Sequence, residues 1–159
     1  MPAEMKLRFM REAILIAREK MQAGQGGPFG AVIVREGKVI SRGWNQVTSA
    51  NDPTAHAEIV AIRQACLELK TFALKGCEIY CSCEPCPMCL SAIYWARLGR
   101  IYFAGTETDA AEAGFDDAFL YREMFEPLDR RKIASEQLLR HEVLPVFQDW
   151  KAKADKIRY

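Results

Sequence analysis

The segment that decides the fold is residues 78–97, which read EIYCSCEPCPMCLSAIYWAR. Its opening residues, Glu78–Ser82, predict a short strand, and Pro85 predicts the start of a helix that extends to about Arg97. Another strand is predicted at Ile101–Ala104. Strands that alternate with helices of this length indicate a sheet that is covered by helices and is partly parallel.

The residues before this segment predict a helix and a hairpin. Apolar side chains recur at spacings of three and four over residues 4–23, which is typical of a helix. Three glycines within residues 24–28 end it. Ala31–Val34 and Lys38–Ser41 flank the turn dipeptide Glu36-Gly37, so we predict an antiparallel hairpin at the start of the sheet.

Two further regions have weaker signals. Asp52 as a cap and Pro53 in the first turn predict a helix that ends near Leu69. Beyond Asp109 the pattern predicts, in order, a loop at 112–115, a helix near 117–125, a strand at 137–142 and a C-terminal helix from Pro145. We expect an α/β fold with a mixed central sheet, in a single domain of residues 1–159.

Composition and charge are those of an ordinary globular protein. The 159 residues are 50% hydrophobic and 27% charged, as in an ordinary globular protein. The 22 basic and 21 acidic residues give a net charge of +1, so no overall field attracts a polyanion. A local basic patch would still permit nucleic-acid binding, although the composition does not favour it.

The first 20 residues mix acidic and basic side chains with apolar ones, which is unlike a signal peptide. No stretch approaches the run of about 20 apolar residues that a membrane span needs. We therefore expect a cytoplasmic protein that does not enter a membrane. In that reducing compartment, six clustered cysteines more often bind metal than form disulfides.

A pair of short motifs predicts a catalytic metal centre. His56-Ala57-Glu58 supplies one imidazole and one carboxylate, and Pro85-Cys86-Pro87-Met88-Cys89 supplies two thiols. A structural zinc site closes its shell with four protein ligands, whereas a catalytic site uses three and leaves one position open for water. Three ligands (His56, Cys86 and Cys89) and a spare acid, Glu58, therefore indicate hydrolysis.

The predicted positions of these residues suit that chemistry. Both motifs lie near helix N-termini, where the helix dipole lowers the pKa of thiols such as Cys86 and Cys89. Zinc acidifies water, and Glu58 would carry the proton to a ring nitrogen and then to the departing amine. An all-cysteine or iron–sulfur site that uses Cys83 is the alternative, but it leaves His56 and Glu58 without a role.

The sequence resembles the cytidine deaminase-like superfamily. The resemblance rests on GPFGAV at 27–32, NDPTAHAE at 51–58 and SCEPCPMC at 82–89, and H-x-E followed by P-C-x-x-C is a signature of zinc-dependent nucleobase deaminases. The stretch TDAAEAGFDD at 108–117 is similar to small bacterial guanine deaminases. The similarity extends from the first helix to Tyr159.

This resemblance implies a three-layer α/β/α fold, a homodimer that can exchange its C-terminal segments, and the conversion of guanine to xanthine and ammonia. It implies zinc ligands at His56, Cys86 and Cys89, with Glu58 as the proton shuttle. The further site residues that it implies are Asn45, Phe29, Ala57 and Trp95 as substrate contacts, Asp117 as a second catalytic carboxylate, and Tyr159 as a closing contact from the C-terminal segment.

Three alternatives remain open. The same zinc motifs serve deaminases of another base or nucleoside, such as cytosine or guanosine. They also serve adenosine deaminases that act on a transfer-RNA anticodon, although the acidic 115–117 segment does not suit a phosphate backbone. The third alternative is a non-catalytic zinc module that binds a partner protein, in which Glu58 would have no function.

Overall fold

The computed structural model describes residues 2–115 and 118–158. The chain divides into two compact units, Met1–Ala118 and Phe119–Tyr159. No helix in the described stretches is both long enough and apolar enough to span a bilayer.

The first unit contains most of the regular structure. Its elements in chain order are α1 (Ala3–Gln22), β1 (Gly30–Arg35), β2 (Lys38–Trp44), α2 (Val47–Ala50), α3 (Ala57–Leu69), β3 (Cys77–Cys83), α4 (Pro87–Trp95), β4 (Arg100–Gly105) and α5 (Glu107–Glu112).

The four strands form one mixed sheet in the order β2-β1-β3-β4. The hairpin strands β1 and β2 are antiparallel, and β1 is also antiparallel to β3, with Val32 opposite Tyr80. Strands β3 and β4 are parallel, as a strand–helix–strand connection requires, with Ile79 opposite Ile101. The predicted hairpin and the partly parallel sheet are both confirmed.

Helices cover both faces of the sheet, because side chains alternate between the faces along each strand. Val32 and Val34 of β1 pack with Phe9 and Ala13 of α1 on one face. The intervening residues Ala31 and Ile33 pack on the other face in a cluster that includes Ala57, Ala61 and Ala65 of α3. Fully burying one Val or Ile side chain contributes about 1.5–3 kcal/mol. The predicted three-layer α/β/α arrangement is confirmed.

A glycine in β2 lets the start of α3 approach the sheet closely. A Cβ on Gly43 would overlap the carbonyl oxygen of Ala57 and lie 2.6 Å from the amide nitrogen of Ala61. The Ser41 hydroxyl, which is buried beside it, donates to the Ala61 carbonyl at 2.8 Å. The first turn of α3, which carries His56 and Glu58, is therefore fixed against β2.

The predicted start of this helix is wrong, although its predicted end is confirmed. Helix α3 begins at Ala57, with His56 as its N-terminal cap in an extended conformation. The Asp52 carboxylate instead accepts from the Thr54 amide at 2.8 Å and from the Thr54 hydroxyl at 2.7 Å. Aspartate commonly closes such local turns, and here the turn separates α2 from α3.

Helix α4 has a similar start. It begins at Pro87 with Cys86 as its cap, two residues later than predicted, and it ends at Trp95. Proline at the first helical position is favourable because the N–H that it lacks would have no partner within the helix.

The residues after β4 form a short helix that the sequence did not predict. Thr106 caps α5 in a reciprocal arrangement with Asp109, each side chain bonding the backbone N–H of the other residue. Gly114 then takes a left-handed conformation with φ +93°, which ends the segment.

The second unit is helical. Its elements are α6 (Ala118–Phe125), which begins at the boundary, a 3-10 helix (Leu128–Arg130) and α7 (Arg140–Ala152). The strand predicted at 137–142 is wrong: residues 134–139 have no regular structure and His141 lies in α7. Helix α7 also starts earlier than the predicted Pro145, which lies inside it.

Candidate metal centre and active site

Three metal-binding side chains meet where two helices begin. His56 caps α3, Cys86 caps α4, and Cys89 lies in the first turn of α4. The His56 Nδ1 atom lies 3.6 Å from the Cys86 Sγ and 3.6 Å from the Cys89 Sγ. The donor atoms all lie within 4.8 Å of one another.

This spacing fits a zinc ion. Tetrahedral zinc with Zn–S bonds near 2.3 Å and Zn–N bonds near 2.05 Å separates sulfur from nitrogen by about 3.6 Å and sulfur from sulfur by about 3.8 Å. Nitrogen and thiolate donors are also the set that zinc prefers. Cys83 lies outside this group, because its thiol donates to the Thr106 carbonyl at 3.3 Å.

The hydrogen bond between the two thiols shifts their pKa values in opposite directions. A hydrogen bond from Cys89, with further ones from the backbone and His56, lowers the pKa of Cys86 to about 4. The same hydrogen bond, burial and the nearby Glu58 carboxylate raise the pKa of Cys89. A cation held by both sulfurs would displace the thiol proton and leave two thiolates.

A buried carboxylate lies directly beside the three donors. Glu58 is in the first turn of α3, is only 8% exposed, and its Oε2 lies 3.4 Å from the Cys89 Sγ. Burial, with a contribution from the Cys86 thiolate, raises the pKa of Glu58 to about 6. A carboxyl group with a pKa near neutrality can both accept and return a proton.

A cavity of about 60 Å³ opens beside this centre. It is lined by side chains from several elements and loops, namely Phe29, Asn45, His56, Glu58, Glu84, Cys86 and Phe115. Two of the predicted substrate contacts, Phe29 and Asn45, are therefore brought together with the metal-binding side chain His56.

The orientation of the Asn45 amide is fixed by the backbone. Its Oδ1 accepts from the amides of Gly27 at 3.2 Å and Val47 at 3.3 Å. A backbone N–H can bond only to an acceptor, which assigns the oxygen to this side and the NH₂ group to the other. The NH₂ group of Asn45 is therefore the part of the amide that remains for another hydrogen-bond partner.

Two of the residues that line the cavity were not predicted as site residues from the sequence. Phe115 lies in a segment predicted only as a loop, and its ring meets Phe29 edge-on, with centroids 4.8 Å apart and planes at 82°. Glu84 precedes the predicted helix start, and its half-buried carboxylate accepts from the Glu107 amide at 3.4 Å. The sequence signal that could have identified Glu84 is its position next to Pro85 in the cysteine motif.

Other predicted contacts lie elsewhere or outside the described residues. Trp95 ends α4, is 62% exposed and does not line the cavity; the Arg97 guanidinium lies 5.7 Å from its ring centroid. Ala57 lies between His56 and Glu58 and is 1% exposed, within the α3 packing. Asp117 and Tyr159 fall outside the residues that the structure describes.

Comparison with known proteins agrees with this geometry. Residues 3–105 match the family model of the cytidine and deoxycytidylate deaminase zinc-binding region. The chain is 52% identical over 151 residues to the guanine deaminase of Bacillus subtilis, covering 95% of this chain and 97% of that protein. It is 41% identical over 99 residues to a tRNA-specific adenosine deaminase of Aquifex aeolicus, covering 62% of this chain and 65% of that protein.

The fold is also similar to a solved structure. The X-ray structure of guanine deaminase from Bacillus subtilis has a TM-score of 0.94 and 51% identity, covering 100% of this chain and 99% of that one. The chain therefore belongs to the family of zinc-binding cytidine and deoxycytidylate deaminases, and its resemblance to small bacterial guanine deaminases is confirmed.

Proposed function

We propose that this protein is a zinc-dependent aminohydrolase that converts guanine and water to xanthine and ammonia. The observation that carries the proposal is the buried Glu58 carboxylate beside the His56, Cys86 and Cys89 donors, because a structural zinc site has no use for a spare acid. Similarity to a guanine deaminase over 95% of the chain supports guanine as the base.

Glu58 moves the protons of this reaction. His56, Cys86 and Cys89 would hold zinc, which would supply a Lewis acid that acidifies water. The Glu58 carboxylate accepts a proton from the attacking water and delivers it to the ring nitrogen next to the amino-bearing carbon. It then accepts the second proton of that water from the oxygen now bound to the carbon and passes it to the departing amine, which leaves as ammonia. Proton transfers of this kind contribute about 10²–10⁴-fold to rate.

The cavity residues orient the base. Asn45 donates from its NH₂ group to a purine acceptor, since backbone amides already occupy its oxygen. Phe29, which lines the cavity, stacks on the purine face. We assign a further substrate contact to Tyr159 and a second catalytic carboxylate to Asp117.

We also propose that residues 1–159 act as one deaminase domain within a homodimer. Exposed apolar side chains on α7 support an association that covers them, for example Val146, Phe147 and Trp150, which are 59%, 61% and 43% exposed. In this arrangement the C-terminal segments are exchanged between subunits. All six cysteines are free of disulfides, which supports a cytoplasmic location.

Ammonia release from a substrate panel tests the proposed reaction. The panel contains guanine, guanosine, cytosine, cytidine, adenine and a transfer-RNA stem-loop with adenosine in its anticodon. We expect rapid release from guanine. Preference for another member would contradict the assigned base, and zinc-loaded protein that releases no ammonia from any member would contradict the enzyme assignment.

The small-molecule substrate is supported by the net charge of +1, which does not favour a polyanion. We expect no retention of transfer RNA at moderate salt in a mobility-shift assay. A tight, salt-sensitive complex would contradict this and favour the nucleic-acid alternative.

A further inference from the structure

The short helix α2 carries a serine that bonds to the glycine loop (residues 24–28). The Ser49 hydroxyl donates to the Gln25 carbonyl at 2.9 Å. Both residues are exposed and lie outside the described lining of the cavity. We propose that Ser49 is a positioning residue for Asn45, which acts through the glycine loop to hold the amide in its purine-binding orientation. This inference rests on the proposed deamination of guanine, in which Asn45 contacts the base.

The glycine loop approaches Asn45 so closely that a side chain would not fit between them. A Cβ on Gly26 would overlap the Asn45 carbonyl oxygen and lie 2.7 Å from the carbonyl carbon. Gly26 also has φ +151°, a conformation that other residues rarely adopt. The backbone of the loop is therefore in direct contact with the backbone of Asn45, and a displacement of one moves the other.

Hydrogen bonds join the loop region to both the backbone and the side chain of Asn45. The Asn45 amide donates to the Phe29 carbonyl at 3.1 Å. The Asn45 Oδ1 accepts from the Gly27 amide at 3.2 Å and from the Val47 amide at 3.3 Å. The last two distances are at the long end of the range for N–H···O hydrogen bonds, so a small shift of the loop weakens the hold on the side chain.

Helix α2 gives the loop a fixed point of attachment. The Gln46 amide, at its start, donates to the Ala55 carbonyl at 2.8 Å, directly before the metal-binding His56. The Ser49 hydroxyl then extends from this helix to the loop. Its second acceptor, the Gln46 carbonyl at 3.4 Å, lies within its own turn and does not hold the loop. Ser49 therefore ties the loop to a helix that is itself bonded next to the metal centre.

Replacement of Ser49 tests the proposal through substrate binding by the zinc-loaded protein. We expect Ser49→Ala to raise KM for guanine by at least about threefold, the effect of one hydrogen bond, and to change kcat by less than about twofold. Ser49→Thr, which keeps the hydroxyl, should restore the original KM. The dissociation constant of guanine, measured by equilibrium dialysis in the Glu58→Gln background, should rise by the same factor as KM. Zinc content and the thermal unfolding midpoint are measured for every variant.

A double-mutant cycle with Asn45 separates positioning from a general effect on the loop. If Ser49 acts through Asn45, Ser49→Ala should raise the guanine dissociation constant by less than about twofold in protein that already carries Asn45→Ala. A larger rise in that background would show that Ser49 acts by another route, which contradicts the proposal.

Two glycines of the loop provide a stronger variant and its matched control. Gly26→Ala places a Cβ against the Asn45 carbonyl and should raise the guanine dissociation constant more than Ser49→Ala does. Gly24 also has a positive φ, +69°, but its added Cβ would meet nothing within 4 Å, so Gly24→Ala should leave binding unchanged. If Gly26→Ala does not fold, the Ser49 variants decide the question.

The outcomes separate this inference from the proposed reaction. An original protein that does not deaminate guanine contradicts the reaction itself. An active original protein whose Ser49→Ala variant is folded, zinc-loaded and unchanged in KM and in the guanine dissociation constant contradicts the positioning role alone.

Discussion

The metal centre and the segment after β4 occupy the same cavity but are built in different ways. His56, Cys86 and Cys89 lie at the starts of two helices that pack into the buried core of the sheet. Phe115 follows a six-residue helix whose capping hydrogen bonds are exposed to solvent. The metal-binding side chains are thus held by the buried core, whereas Phe115 is held by a short helix with solvent-exposed capping bonds.

The largest effect on activity is expected from replacing Glu58, the carboxylate beside the metal-binding side chains. Glu58→Gln keeps the size of the side chain and removes its proton-accepting capacity, so ammonia release should fall by about 10²–10⁴-fold. Zinc content, measured by atomic emission, should stay at the original level. Glu84→Gln, which changes a cavity carboxylate assigned no proton transfer, is the matched control. Ammonia release that continues at the original rate would contradict the mechanism.

Zinc removal should affect stability as strongly as activity, because the ligands join the starts of α3 and α4. A ligand present at about 1,000 times its dissociation constant stabilises the folded state by about 4 kcal/mol. We expect the thermal unfolding midpoint to fall after chelation and to recover when zinc is returned. A midpoint that does not respond to the metal would show that these helix starts are held by packing alone.

Gly43→Ala probes the approach of α3 to the sheet. The added Cβ would overlap the Ala57 carbonyl, and a forced shift of this kind costs about 1–3 kcal/mol of unfolding free energy. Zinc affinity should fall as well, since the shift moves His56. Gly99→Ala is the control, because its Cβ would lie 3.5 Å from the Cys77 carbonyl oxygen, an ordinary contact. Urea unfolding midpoints compare the two.

The smallest effect on stability is expected in the segment after β4. Thr106→Ala removes the side-chain cap of α5 and should cost about 1 kcal/mol or less of unfolding free energy. Zinc content should not change. A loss of zinc in this variant would show that the two regions are not independent.

The metal centre and the hairpin were predicted well because residues close together in the sequence determine them. The Cys-x-x-Cys spacing places both thiols on one side of a helix start, and His-x-Glu places an acid beside the imidazole. The hairpin followed from Glu36-Gly37, where both residues take positive φ. The motifs therefore predicted the donor set and the sheet together.

The errors arose where side chains compete with the backbone or where distant residues meet. Asp52 closes a turn with Thr54 and so does not cap α3. Helix α5 has caps but no apolar periodicity, and the α7 region contains adjacent leucines, Leu138 and Leu139, that imitate a strand. The contact of Phe115 with Phe29 joins residues far apart in the chain, and no local pattern indicates it.

The Asn45 amide has a fixed orientation, with its oxygen towards the backbone of Gly27 and Val47. Because two backbone N–H groups hold its oxygen, rotation of the amide by half a turn would set donor against donor and leave both backbone groups unpaired. Most asparagines can exchange donor and acceptor to suit a ligand, but this one cannot. If Asn45 contacts the base as we propose, the base turns an acceptor towards it, and bases that differ only in which edge carries that acceptor would be bound in different orientations relative to the zinc ligands.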